Sequence, residues 1–146
     1  MEPKKFLSQL QHNDIVAAIR EAEKKTSGEI RVFISRKLID DPLPMAQAHF
    51  MKLGMAKTRD RNAVLIFVAP RAHKFAVIGD TGVHERCGDD FWRQLAAEMS
   101  GHFRNSAFTS GIIHGVKKAG ELLAQHFPRR PDNKNQLPDT VEQYLE

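Results

Sequence analysis

The chain of 146 residues carries 22 Lys and Arg against 18 Asp and Glu, so its formal charge is +4, and 41% of its residues are hydrophobic. This length suits one domain with its own core, and the composition excludes a largely disordered, collagen-like or membrane-spanning chain, since no apolar run approaches ~18 residues. The single cysteine, Cys87, cannot form an intramolecular disulfide, which fits a reducing compartment.

The first third of the sequence predicts a helix, a strand and a second helix. Apolar residues recur at helical spacing over residues 14–26, where Asn13 can cap the first turn and Gly28 can adopt the left-handed conformation that ends a helix. Residues 29–35 alternate and are rich in β-branched side chains, which is typical of a strand. After a break with two prolines, a second helix is predicted over about 44–57.

The following segments predict a tight hairpin of two strands and two further helices. Residues 63–69 (AVLIFVA) are apolar throughout and should form a central strand buried on both faces. A short turn leads to a third strand, 75–78, which must therefore run antiparallel to the second. Helices follow over about 89–104 and 109–126. We therefore predict an α/β fold, a compact α/β/α sandwich whose mixed, mostly parallel sheet has helices on both faces.

The chain divides into a domain over residues 1–127 and a polar tail over residues 128–146. The tail is expected to be mobile, and its end (TVEQYLE) can form a last helical turn. The N-terminus has two lysines without a following apolar h-region, so we expect no secretion signal and a cytoplasmic location. We also expect no transmembrane segment and a monomer.

Four carboxylates lie close together in the sequence between the third strand and the next helix: Asp80, Glu85, Asp89 and Asp90. Such carboxylates repel one another in water, and a hard cation such as Ca²⁺ or Mg²⁺ would collect their oxygens. The alternative is structural, with Asp89 and Asp90 capping a helix and Asp80 serving only in a turn. The residues alone leave both interpretations open.

Several segments in the same order resemble the TPM domain family, named for thylakoid lumen, photosystem II repair and receptor modulator proteins. The resemblance covers roughly residues 14–127. Its main pieces are TSGEIRV at 26–32, NAVLIFVA at 62–69 and KFAVIGD at 74–80, followed by FW at 91–92 and Phe103, Phe108 and Gly111. No single piece is diagnostic, and the match rests on their order and spacing.

The resemblance implies an α/β sandwich with acidic residues at one end of the sheet that hold divalent cations, often calcium. Carried over by position, these acids are Asp60 before the central strand, Asp80 and Glu85 after the third, and Asp90 at the next helix, with Asp89 as a neighbour. Family members are also credited with weak acid phosphatase activity or with assembly of membrane complexes. Many of them carry a signal peptide or membrane helix, which we do not expect here.

Three functions follow as hypotheses. The first is a divalent-cation-binding module for interaction or assembly, with a protein partner at the inner face of a membrane protein. The second is a metal-assisted phosphatase of low activity on phosphomonoesters, in which His84 or Lys74 would donate a proton. The third, nucleic-acid binding through the basic body, is not expected because the charges are not clustered.

Overall fold

The computed structural model describes residues 9–35, 37–88, 90–129 and 141–144. Its helices are α1 (Gln9–Glu23), α2 (Pro42–Lys52), α3 (Thr81–Cys87), α4 (Asp90–Arg104) and α5 (Phe108–His126). Its strands are β1 (Glu29–Ser35), β2 (Ala63–Ala69), β3 (Lys74–Gly79) and β4 (Val141–Tyr144). Short 3-10 turns precede and follow β2, at Met55–Lys57 and Pro70–Ala72.

The four strands form one mixed sheet in the order β3-β2-β1-β4. Strand β1 runs parallel to both β2 and β4, while β2 and β3 form the antiparallel hairpin. Two of the three pairings are therefore parallel, as the sequence predicts. The register places the starts of β1 and β2 and the end of β3 at the same end of the sheet, because Glu29 pairs with Ala63 and Val64 with Gly79.

Side chains of the central strands alternate between two apolar layers. The even-numbered residues pack with α1, α4 and α5; they are Ile30, Val32, Ile34, Val64, Ile66 and Val68. The odd-numbered residues pack with α2 and the turn after it; they are Phe33, Ala63, Leu65, Phe67 and Ala69. Every residue of β2 is buried, which confirms a central strand with both faces covered by helices.

The ends of α1 differ from the prediction. The helix begins at Gln9, so Asn13 lies inside it, and it ends at Glu23. The chain leaves the helix early because Thr26 bridges to Pro128 and the Ser27 amide donates to the Phe127 carbonyl. Gly28 is not left-handed; a Cβ there would lie 2.9 Å from Leu123 Cδ1, so this glycine lets the start of β1 approach α5.

Helix α2 is shorter than the prediction of 44–57. It begins at Pro42, where the Asp41 carboxylate accepts a hydrogen bond from the Leu43 amide, and it ends at Lys52. Gly54 takes a φ of 72° and interrupts the helix before the 3-10 turn.

The predicted helical turn near the C-terminus is wrong. Residues Val141–Tyr144 instead form strand β4, which pairs in parallel with Val32–Ser35 of β1. This part of the predicted tail therefore belongs to the sheet, while residues 130–140 lie outside the described residues. The placement of a domain boundary at residue 127 stays a prediction. None of the described helices is long and apolar enough to cross a bilayer.

Candidate functional site

Residues 58–62 and residues 79–82 meet at the end of the sheet where β2 starts and β3 ends. We call these two segments together the Asp80 turn. The Asp80 amide donates to the Ala63 carbonyl and the Gly82 amide donates to the Arg61 carbonyl, both at 2.9 Å. A Cβ at Gly82 would lie 2.2 Å from the Asp60 carbonyl oxygen. The two segments are therefore in backbone contact, which only glycine at position 82 permits.

Asp80 is the centre of this turn. Its side chain is only 4% exposed, and its two oxygens accept hydrogen bonds from Arg61 Nε at 2.7 Å and Nη2 at 2.8 Å. One of these oxygens also accepts from the Thr81 amide at 2.7 Å, so Asp80 caps α3. The hydrogen bonds and the charge of Asp80 raise the pKa of the Arg61 guanidinium. Asp80 therefore has a structural role as the N-cap of α3, whereas the prediction gave it a place in a turn only.

Arg61 makes this ion pair from a backbone conformation that is unusual for a residue other than glycine. Its φ is 51°, in the left-handed region that few non-glycine residues adopt. Its side chain nevertheless remains 48% exposed, in contrast to the buried carboxylate that it contacts. The positive end of this ion pair is thus open to water while the negative end is not.

The other predicted acids are placed differently. Asp60 is half-buried in the loop that contacts Gly82, so its backbone lies beside the Asp80 turn. Glu85 is exposed on α3, and the fully exposed Asp90 lies in the first turn of α4, 3.7 Å from Arg93. Asp89 lies outside the described residues.

These acids do not form a ready ligand set. In the part of the chain that the structure describes, no three His, Cys, Asp or Glu side chains are placed to hold a metal ion.

A buried polar network next to this turn is not evident from the sequence. Asn62 Nδ2 donates to Ser27 Oγ at 3.2 Å, and the Asn62 amide donates to Thr58 Oγ1 at 3.3 Å. Asn62 is 1% exposed, and its Oδ1 accepts no hydrogen bond from the residues that the structure describes. The sequence signal that could have indicated this network is the Thr26-Ser27-Gly28 segment, in which Gly28 was interpreted above only as the end of a helix.

Lys74, considered above as a proton donor, is not placed for that role, and the single cysteine is not activated as a nucleophile. Lys74 lies at the opposite end of β3 from Asp80, roughly 20 Å along an extended strand, so its expected position near the acids is wrong. Its ammonium group donates to the Asp40 carbonyl instead. Burial raises the pKa of the Cys87 thiol, an effect that Arg86 offsets in part, so this thiol is a poor nucleophile at neutral pH.

Comparison with known proteins identifies one family and several similar structures. The model of the TPM domain matches residues 1–122. The solution structure of the BA42 protein from the psychrophilic bacterium Bizionia argentinensis is 36% identical, with a TM-score of 0.90 over 98% of this chain and 99% of that one. No curated protein matches the sequence significantly.

Two more distant solution structures share the fold. One is the N-terminal domain of a protein from P. gingivalis, 19% identical, with a TM-score of 0.68 over 85% of this chain and 82% of that one. The other is the N-terminal domain of cg2496 from Corynebacterium glutamicum, 14% identical, with a TM-score of 0.62 over 97% and 83%.

Proposed function

The chain belongs to the TPM domain family, and from this premise we propose that it is a divalent-cation-binding domain that acts by binding another protein. The cation is calcium or magnesium, and the Asp80 turn binds it. A cytoplasmic location and a monomeric state belong to the same proposal.

The buried carboxylate of Asp80 is the observation that carries the proposal. A carboxylate that is only 4% exposed needs a positive charge beside it, which Arg61 supplies here from a half-exposed side chain. Such a guanidinium can move into water at little cost, whereas the carboxylate is fixed by the Thr81 amide. We therefore expect a small cation to take the place of the Arg61 guanidinium beside this carboxylate.

Two further oxygen ligands at the same end of the sheet support the binding of a hard cation. Asn62 keeps a buried side-chain oxygen that accepts no hydrogen bond from the described part of the chain, and amide oxygens are calcium ligands. Asp60 lies in the loop whose main-chain oxygen contacts Gly82, and its carboxylate is the second acidic ligand of the proposal. These donors suit Ca²⁺ or Mg²⁺ in type, since both prefer oxygen ligands. When bound, the cation would supply the positive charge that Arg61 now provides.

The test is a CaCl₂ and MgCl₂ titration of the ¹⁵N-labelled full chain. We expect shifts at the amides of Asp80, Thr81 and Gly82 and a higher melting temperature. Asp80→Asn keeps the helix cap but removes the charge, so it should abolish both effects. Asp14→Asn, an exposed acid on α1, is the matched control and should leave them unchanged. Unshifted spectra at millimolar metal would refute the proposal.

Arg61→Gln tests whether Arg61 and the cation compete. Removing the guanidinium frees the Asp80 carboxylate from two charge-assisted hydrogen bonds, so we expect cation binding to tighten by about tenfold or more. Weaker binding in this variant would show that Arg61 does not occupy the position of the cation.

The remaining predicted ligands are sorted by the same titration. Glu85→Gln, Asp89→Asn and Asp90→Asn each remove one carboxylate. If that carboxylate is a ligand, its removal should lower the affinity for the cation. Glu85 and Asp90 are exposed, so their substitution should leave the fold unchanged. The phosphatase alternative, with His84 as proton donor, stays a prediction. It requires that hydrolysis of a phosphomonoester by the purified protein be lost in Asp80→Asn.

A further inference from the structure

Strand β3 is an edge of the sheet. It pairs with β2 from Lys74 to Gly79, and no strand among the described residues pairs with its other side. An edge strand presents a row of N–H and C=O groups that can pair with an added strand.

A groove of about 580 Å³ runs along this edge, and we call it the β3 groove. The residues of its lining that matter for binding are Asp40, Asp41, Lys74, Trp92 and Ala96. Five consecutive residues, 73–77, line it, so side chains of both faces of β3 take part. The groove therefore follows the strand edge between α2 and α4 instead of lying over one face. The four extended residues among them, 74–77, correspond to roughly 13 Å.

The two walls of the β3 groove differ in chemistry. The α4 wall is largely apolar, with Trp92 and Ala96, and Trp92 Nε1 is a buried donor without a hydrogen-bond partner in the described chain. The α2 wall carries the exposed carboxylates of Asp40 and Asp41. Lys74 also lines the groove, and its ammonium group donates to the Asp40 main-chain oxygen, so this positive charge offsets the two carboxylates only in part.

We propose that the β3 groove binds an extended segment of a partner protein in which apolar and basic residues alternate. The segment pairs with β3 as a fifth strand, so its side chains point alternately to the two walls. The apolar residues contact Trp92 and Ala96, and the basic residues face Asp40 and Asp41. This inference rests on the proposed role in protein binding, and it does not require the cation.

A single extended segment fits this site better than a second copy of the chain. The groove lies between α2 and α4, which line it on the two faces of β3. A second copy that paired through its own β3 would also have to bring its α2 and α4 against the first pair at this edge. A slender peptide strand meets no such obstacle.

The probe is a synthetic six-residue peptide, capped at both ends, in which valine and lysine alternate. Titrated into the ¹⁵N-labelled full chain, it should shift the amides of residues 74–78 and the Trp92 indole N–H. The double variant Asp40→Asn with Asp41→Asn should weaken binding about fivefold, as expected for two exposed charge pairs. Unshifted β3 amides at millimolar peptide would overturn the proposal.

Two matched pairs test the geometry. Ala96→Trp fills the groove and should abolish binding, whereas Ala97→Trp, on the exposed side of the same helix, should not. Peptides with N-methyl groups on alternate residues test strand pairing, since only one of the two sets of N–H groups faces β3. One methylated peptide should bind and the other should not. Equal effects within either pair would overturn the proposal.

Two further readouts separate the remaining outcomes. The peptide titration is run once in CaCl₂ and once in EDTA. Binding in both supports the proposal for the β3 groove even if the cation proposal fails. Absence of binding in both overturns the proposal for the groove. Binding in CaCl₂ alone would show that the β3 groove requires the cation and would overturn the inference as stated. Concentration-dependent shifts of residues 74–78 without peptide would assign the edge to a second copy and overturn the inference.

Discussion

The Asp80 turn and the β3 groove adjoin the same strand but use their polar groups in opposite ways. In the turn, the carboxylate of Asp80 is buried and its hydrogen bonds go to Arg61 and Thr81 of the same chain. In the groove, the carboxylates of Asp40 and Asp41 are exposed, and no described strand covers the outer edge of β3. Substitutions in the turn should therefore change stability as well as cation binding, whereas substitutions along the groove should change peptide binding with little effect on stability.

Gly82→Ala should have the largest effect on stability. Its methyl group would overlap the backbone oxygens of Asp60 and Arg61, at 2.2 and 2.7 Å, so the two segments of the turn must separate. We expect a loss of about 3 kcal/mol or more in the free energy of unfolding, measured by urea denaturation.

Gly101→Ala is the matched control for this variant. A Cβ at Gly101 would meet nothing within 4 Å, so alanine there should stabilise α4 by about 0.5–1 kcal/mol. Equal effects of the two substitutions would show that the turn is not closely packed.

Asp80→Ala should have the next largest effect. It removes the cap of α3 and the acceptor of Arg61, so we expect a loss of about 2 kcal/mol in the free energy of unfolding. Asp80→Asn keeps the cap and should lose less. Asp40→Asn, at the exposed wall of the groove, should change stability by less than about 0.5 kcal/mol, and a larger change would blur the distinction between the two regions.

The smallest expected effect concerns the reactivity of the Cys87 thiol and its dependence on pH. Because burial raises the pKa of its thiol, alkylation by iodoacetamide in the folded chain should follow a pH profile with a midpoint above that of the urea-unfolded chain. The folded state holds this proton more tightly, so stability is intact below the ordinary thiol pKa and falls as the pH rises through the folded value. A midpoint at or below the unfolded value would contradict the buried environment.

The central strands could be predicted because their sequences allow few alternatives. Residues 63–69 are an unbroken apolar run, and the bounds of β1 and β2 agree with the prediction. Helix α3 was not predicted, since TGVHERC is mostly polar and only Val83 is fully anchored in the core. Strand β4 was missed because its pairing depends on β1, more than a hundred residues earlier in the chain.

The candidate site was predicted only in part for a similar reason. The sequence places Asp80 after a strand, and the resemblance adds Asp60, but neither indicates that Arg61 would pair with Asp80 across 19 positions. That pairing follows from the antiparallel register, which aligns the start of β2 with the end of β3.

The pairing of β1 with β4 has a consequence for synthesis on the ribosome. Strand β1 emerges early, but its outer neighbour, Val141–Tyr144, is translated only after more than a hundred further residues. At roughly 5–20 residues per second, the nascent chain keeps that side of β1 uncovered for on the order of ten seconds. During this interval we expect the unpaired side of β1 to be exposed to chaperones.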